Sequence, residues 1–209
     1  CVTLQKQTTN SMKKILTLLL TVTLTLTAVA ETLDQLRQRA QSGDPEAQYL
    51  YAEALRKGGY ENDSIPKDIA ESLNWYRKAA EQGVEQAQIH LGKCYDYGLG
   101  VESNMAEAMK WYKKAADQGS AKGQFCLGVC YQLSNNLAEA LNWYRKAAEQ
   151  GYVNAQFNLG SHYQSGDGIT QNLSLAMYWY LKAAEQGDES ALREYNQLYE
   201  AGYRPSPEP

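Results

Sequence analysis

WYRKAAEQG, residues 75–83, decides the reading of this chain, because the chain writes it four times. WYKKAADQG follows at 111–119, WYRKAAEQG again at 143–151, and WYLKAAEQG at 179–187. The closing glycines, Gly83, Gly119, Gly151 and Gly187, are spaced by 36, 32 and 36 residues, and the tryptophans keep the same step. A near-constant period in this range marks a solenoid of helical pairs. A catalytic centre does not need four copies of itself.

Each unit divides into two helices. Between residues 85 and 119, Ala87, Leu91, Gly92 and Tyr95 form one apolar stripe at helical spacing, which defines helix A. Gly98-Leu99-Gly100 interrupts it. Helix B begins near Met105, with Ser103 or Asn104 as N-cap, and its stripe is Ala108, Trp111, Tyr112 and Ala115. Gly119 then ends the helix in the left-handed conformation that costs glycine least. Ala87, Gly92, Ala108 and Ala115 permit close approach of the two helices. Trp111 and Tyr112 fill the space around them and reach the next unit. A single pair cannot bury such a face, so the unit must repeat.

The copies differ in detail. In the first unit helix A covers Ala47 to Leu55, with Tyr51 and Ala52 in place of Leu-Gly, and its loop, Lys57 to Pro66, is longer. The third has Leu127, Gly128 and Tyr131 and a short loop, Gln132 to Asn136. The fourth has Ala155, Leu159, Gly160 and Tyr163, then Gly166-Asp167-Gly168. Thr32 and Gln35 form a capping box at the start of a lone helix ending near Gln41, and one further helix, Glu189 to Glu200, follows the fourth unit. The expected organisation is an extension plus signal peptide (1–30), a capping helix (31–43), four repeats (44–83, 84–119, 120–151, 152–187), a second capping helix (188–202) and a Pro-rich tail (203–209).

Residues 1–30 read as a secretory signal. Met12-Lys13-Lys14 is a basic start, Ile15 to Val29 is uncharged and rich in Leu, Thr and Val, and Ala28-Val29-Ala30 is a small-x-small cleavage site. The run is shorter than the ~20 residues of a membrane-spanning helix. The mature protein is therefore expected in the periplasm or outside the cell, without a stable membrane anchor. Without residues 1–30, which carry Lys6, Lys13, Lys14 and no acid, the formal charge moves from −4 to −7. An acidic chain without a basic run has no electrostatic basis for holding nucleic acid.

The cysteines and histidines form a pattern on helix A. His90 and Cys94 are i,i+4 in the second unit, Cys126 and Cys130 occupy the same grid positions in the third, and His162 takes the later position in the fourth. Equivalent positions in a solenoid point the same way and lie about a helix diameter apart, which opposes a four-coordinate zinc site. Cys126 and Cys130 stand parallel on one helix and are not expected to bridge; Cys94 pairing with either of them stays open, beside three buried thiols. No phosphate-binding glycine loop is present. Ser-x-x-Lys occurs at Ser11–Lys14 and Ser64–Lys67 without the companion motifs of β-lactam chemistry. No cofactor is implied, and the chain is not expected to be an enzyme.

The grid resembles the Sel1-like repeat, a relative of the tetratricopeptide repeat. The matching stretches are AQIHLGKCYDYGLGV (87–101) with AMKWYKKAADQG (108–119), and AQFNLGSHYQSGDGI (155–169) with AMYWYLKAAEQG (176–187); the resemblance extends over about 44–199. It implies an all-α, right-handed α-solenoid whose A helices line a concave face. It also implies a secreted or periplasmic adaptor or scaffold. By the same similarity the groove is lined by Tyr49, Ile89, Phe125 and Phe157, with Lys93 and Asp96, Val129 and Gln132, Ser161 and Gln164 beside them. An apolar row flanked by polar side chains suits a protein or peptide ligand; packing between neighbouring helices is the other use of such a row. Two further readings stand behind the scaffold: a periplasmic immunity protein that neutralises a toxin, and, more remotely, a β-lactam-binding or hydrolysing enzyme of the kind named among cysteine-rich relatives.

Overall fold

The computed structural model describes residues 32–60, 63–64 and 66–207. The signal-peptide reading falls on residues 1–30, outside the described residues. Among the described residues ten helices follow one another: α1 (Leu33–Gln41), α2 (Pro45–Lys57), α3 (Ile69–Glu81), α4 (Glu85–Tyr97), α5 (Met105–Asp117), α6 (Ala121–Leu133), α7 (Leu137–Glu149), α8 (Val153–Ser165), α9 (Leu173–Ala184) and α10 (Glu189–Glu200). Consecutive helices pack against one another. The chain is an α-solenoid, with α2, α4, α6 and α8 as A helices and α3, α5, α7 and α9 as B helices. The long first loop carries one addition, a two-residue antiparallel pair, β1 (Gly59–Tyr60) with β2 (Asp63–Ser64). Helix A of the third unit runs to Leu133, further than the spacing predicted, so its loop shrinks to residues 134–136.

Local chemistry starts and stops these helices. The side chains of Asp44, Asp68, Asn104, Ser120, Asn136, Asn172 and Asp188 each accept the backbone N–H three residues on. Thr32 and Gln35 complete the capping box. At the other end the glycine of each AAEQG-type segment has positive φ: +93° at Gly83, Gly119 and Gly187 and +84° at Gly151. The residue after it then donates back into the last turn, as Val84 N does to Ala79 O at 3.1 Å and Ser120 N to Ala115 O at 3.1 Å. This is the Schellman closure that a left-handed residue permits.

Two recurring contacts hold the helices together. The first is tyrosine on glycine. Tyr76, Tyr112, Tyr144 and Tyr180 are the largest fully buried side chains. A Cβ placed on Gly92, Gly128 or Gly160 would lie 2.6, 2.8 and 2.8 Å from the ring of Tyr112, Tyr144 and Tyr180 respectively. The glycine therefore lets the ring lie against the backbone of helix A in its own unit. The second contact is a glutamine ladder. Gln48, Gln88, Gln124 and Gln156 donate Nε2 to Ala40, Ala80, Ala116 and Ala148 O of the preceding B-type helix, at 3.2, 3.1, 3.5 and 3.1 Å. Their Oε1 atoms accept from Gln82, Gln118, Gln150 and Gln186, which end the following B helix, at 2.8–2.9 Å. Each A-helix glutamine thus ties two consecutive B helices through a buried amide. At the end of the chain, Ser206 N donates to Ser174 O at 2.9 Å and lays the Pro-rich tail on α9.

Candidate functional site

The open face of the solenoid is the side of the A helices turned away from the B helices. On a helix with 100° between residues, the buried positions Leu91, Gly92, Cys94 and their equivalents define one arc. The opposite arc is centred four residues after the Tyr49/Ile89/Phe125/Phe157 position, on Glu53, Lys93, Val129 and Ser161.

The aromatic row is largely taken up by packing. Tyr49 is half-buried, its ring 6.1 Å from Tyr76 and 5.8 Å from His90. Phe125 lies 5.7 Å from Tyr144 and 5.1 Å from Tyr152, and Phe157 lies 5.6 Å from Tyr180. Ile89 departs from the expectation that it faces a groove. It is 2% exposed and belongs to the core built on Tyr112 and Leu127. An aliphatic side chain at that position folds into the neighbouring unit, where a longer aromatic ring keeps its edge outside.

The accessible part of the face lies further along each A helix. Lys93 and Val129 are partly exposed and Ser161 is exposed. One turn beyond the first two, Tyr97 and Leu133 are 69% and 68% exposed, the most exposed large apolar side chains among the described residues.

At the first unit the face closes on a buried carboxylate. Glu53 is 8% exposed and stands between donors from two units. Arg56 reaches it at 3.1 and 2.8 Å, Lys57 at 2.8 Å and His90 Nδ1 at 3.1 Å, and the Tyr76 hydroxyl donates to it as well. Burial pushes this carboxyl up, but the hydrogen bonds from Arg56, Lys57 and Tyr76 outweigh it and bring it down to about 2. Burial lowers His90 to about 4 despite the facing carboxylate. A neutral imidazole that donates Nδ1–H to an ionised Glu53 fits both shifts. Glu53 is the one buried carboxylate among the described residues, and its neighbours supply the donors that water would.

The cysteines occupy tyrosine-packing positions. Cys94, Cys126 and Cys130 are unbonded thiols. Cys126 and Cys130 sit in the core around Tyr112. Burial pushes Cys126 up to about 11 and Cys130 up to about 12, and raises Cys94 as well. They stay protonated at neutral pH, and a protonated thiol is a poor metal ligand and a poor nucleophile. Among the described residues no group of three or more His, Cys, Asp or Glu side chains is placed to hold a metal ion. His162 is buried over the Tyr144 ring, with Nδ1 2.9 Å from Asp167 O. Its grid equivalents are Cys94 and Cys130, so the pattern seen in the sequence is one of tyrosine contacts.

Two features escaped the sequence reading. Gln48, Gln88, Gln124 and Gln156, with their partners at 82, 118, 150 and 186, recur in all four copies, and that recurrence was the available signal. The Glu53–His90 pair had none, because it joins single residues of different units.

This geometry defines a class: an α-helical repeat scaffold with one face left open along its A helices. The chain belongs to the Sel1 repeat family, which matches it at residues 45–84, 85–120, 121–152 and 153–188. No curated protein matches it. Among solved structures, a protective antigen of uropathogenic Escherichia coli with an SLR fold is 38% identical, with a TM-score of 0.77 over 83% of this chain. The chain spans 37% of that antigen's length. A Sel1 repeat protein from Oxalobacter formigenes is 30% identical, with a TM-score of 0.73 over 84% of this chain and 71% of its own. An immunity protein from Pseudomonas aeruginosa, 22% identical with a TM-score of 0.52 over 83% of this chain and 67% of its own, shares the fold. Among the described residues no helix is long and apolar enough to cross a membrane.

Proposed function

We propose that this chain is an exported, non-catalytic scaffold that holds a protein or peptide on the open face of its A helices. One observation carries the reading: Tyr97 and Leu133 are more than two-thirds exposed on the same face as Lys93, Val129 and Ser161, whereas the tyrosines and tryptophans of the repeated motif are spent on packing between helices. Large apolar side chains left in water in register on adjacent repeats are a feature of binding surfaces. The basic start, apolar run and Ala28-Val29-Ala30 site support export to the periplasm or beyond, and so does the likeness to a protein described as a protective antigen.

The test is capture from periplasmic extract by the immobilised protein, with Val129→Arg/Ser161→Arg as the comparison. Val129 is partly exposed and Ser161 exposed, so the variant should keep its helical circular dichroism and lose the captured protein. Undiminished capture by the folded variant would show that this face is not the site. Export is read separately, by sequencing the amino terminus of the periplasmic protein, which should begin at Glu31.

A further inference from the structure

Most lysines among the described residues are neutralised or covered. Lys57, Lys110, Lys113 and Lys182 meet carboxylates. Lys78, Lys114 and Lys146 lie over the rings of Trp75, Trp111 and Trp143 at 3.9, 3.9 and 4.0 Å. Lys67 stands in the loop before α3. Lys93 and Lys122 are the two helical lysines without a hydrogen bond, ion pair or ring contact among the described residues.

Both belong to the open face. Lys93 is at its centre on α4, and Lys122 is exposed at the start of α6, seven residues before Val129 on the same stripe. Both bear electrostatically on the same two side chains, His90 and Cys126, so the two ammonium groups converge on the α4–α6 boundary. The carboxylate that also reaches Cys126 is Asp96, which accepts the Tyr112 hydroxyl at 3.4 Å. In an acidic chain, two lysines without a direct partner among the described residues thus act on one boundary, with Glu53 and Asp96 as the carboxylates that act on the same two side chains.

Beyond the lysines the face turns apolar. Tyr97 follows Lys93 by one turn, and Val129 and Leu133 follow Lys122 by two and three turns. From Lys122 to Leu133 the helix rises about 16 Å, a length covered by about five residues of extended chain.

We propose that the α4–α6 face binds an extended segment of a partner protein that carries one or two carboxylates followed, about three residues on, by a bulky apolar side chain. The carboxylates sit between Lys93 and Lys122, and the apolar group lies on Tyr97, Val129 and Leu133. Charge complementarity selects this occupant: a neutral apolar segment leaves both lysines unmatched, and a basic one is repelled by them. The proposal gives the partner's chemistry to the scaffold reading above and rests on it.

The probe is a fluorescein-labelled peptide of order Asp-Glu-Ser-Leu-Leu, titrated by anisotropy against the purified protein to about 1 mM, the weak end of specific binding. The expected result is saturable binding that weakens with added salt. It should fall about tenfold in Lys93→Gln/Lys122→Gln, the combined effect of two exposed charge pairs. Leu133→Ser should weaken it too, while leaving the salt dependence in place. Equal binding of an Asn-Gln-Ser-Leu-Leu peptide, undiminished binding by the lysine variant, or no saturable binding of the acidic peptide overturns the proposal. The scaffold reading is judged apart from it. A protein captured through Val129 and Ser161 but indifferent to both lysines refutes the acidic segment and leaves the scaffold; no face-dependent capture refutes the scaffold.

Discussion

Gln156→Glu should turn the glutamine ladder into a pH-dependent weakness between the third and fourth units. Gln156 is 4% exposed. Its Nε2 donates to Ala148 O at 3.1 Å and its Oε1 accepts from Gln186 Nε2 at 2.9 Å. A protonated glutamate can reproduce both contacts, since its O–H donates where Nε2 did. An ionised one cannot: it sets a charged oxygen against the Ala148 carbonyl, in a site with little water. The folded state therefore keeps the proton, whereas the unfolded chain releases it near pH 4.3. With one proton more on the folded side, stability falls by about 1.4 kcal/mol per pH unit above that value. At pH 7 the loss relative to wild type approaches about 3.7 kcal/mol, and it vanishes below about pH 4. That is a ceiling, because tolerance of the ionised form would cap the loss earlier. Urea unfolding followed by circular dichroism, for both proteins from about pH 4 to pH 8, measures the difference directly. A difference that does not vary with pH, or stays below about 1 kcal/mol at pH 7, would show that the buried amide is not a working joint.

The remaining predictions concern the first two units and the helix ends. His90 and Glu53 both titrate lower in the folded protein, to about 4 and about 2, so the unfolded chain takes up these protons first. Thermal stability should be level above about pH 6.5 and decline in acid, through His90 first and Glu53 below about pH 4.5. His90→Gln should flatten the upper part of that decline in a melting-temperature series and leave the lower part, and an unchanged upper part counts against the burial of a neutral imidazole. Gly119 has φ +93° and open space where a Cβ would stand, so Gly119→Ala is expected to cost about 1–2 kcal/mol from backbone strain alone. Gly119→Asn should cost less in the same urea titration, because asparagine tolerates the left-handed region better.

The helices were legible because their signals are local. Asn104, Ser120 and Asn172 cap helices from positions adjacent in sequence, and Gly83 and its copies end them by their own backbone conformation. Tyr112 and Gly92 were read as partners in close packing because each recurs one period away in a similar setting. The face was less legible. Tyr49, Ile89, Phe125 and Phe157 hold one grid position and look equivalent in the sequence, yet Ile89 is buried and the others keep a ring edge outside. Burial at that position depends on the side chain's reach into the next unit, which no spacing within a unit records.

What the sequence determined by itself is therefore the repeat: two helices per unit, their caps, their small-residue seams and the period at which they stack, all set by interactions within a few residues or by identity between copies. Tertiary structure decided the rest. It brought Glu53 of one unit against His90 of the next, and set Cys126, Cys130 and His162 in tyrosine-lined surroundings. It also left Lys93 and Lys122 without a hydrogen-bond or ion-pair partner among the described residues, on the face that carries Tyr97 and Leu133. These outcomes depend on which particular residues of neighbouring units face each other once the units stack. The recurring WYRKAAEQG-type motif builds the joints, and side chains that vary between copies are left on the open face.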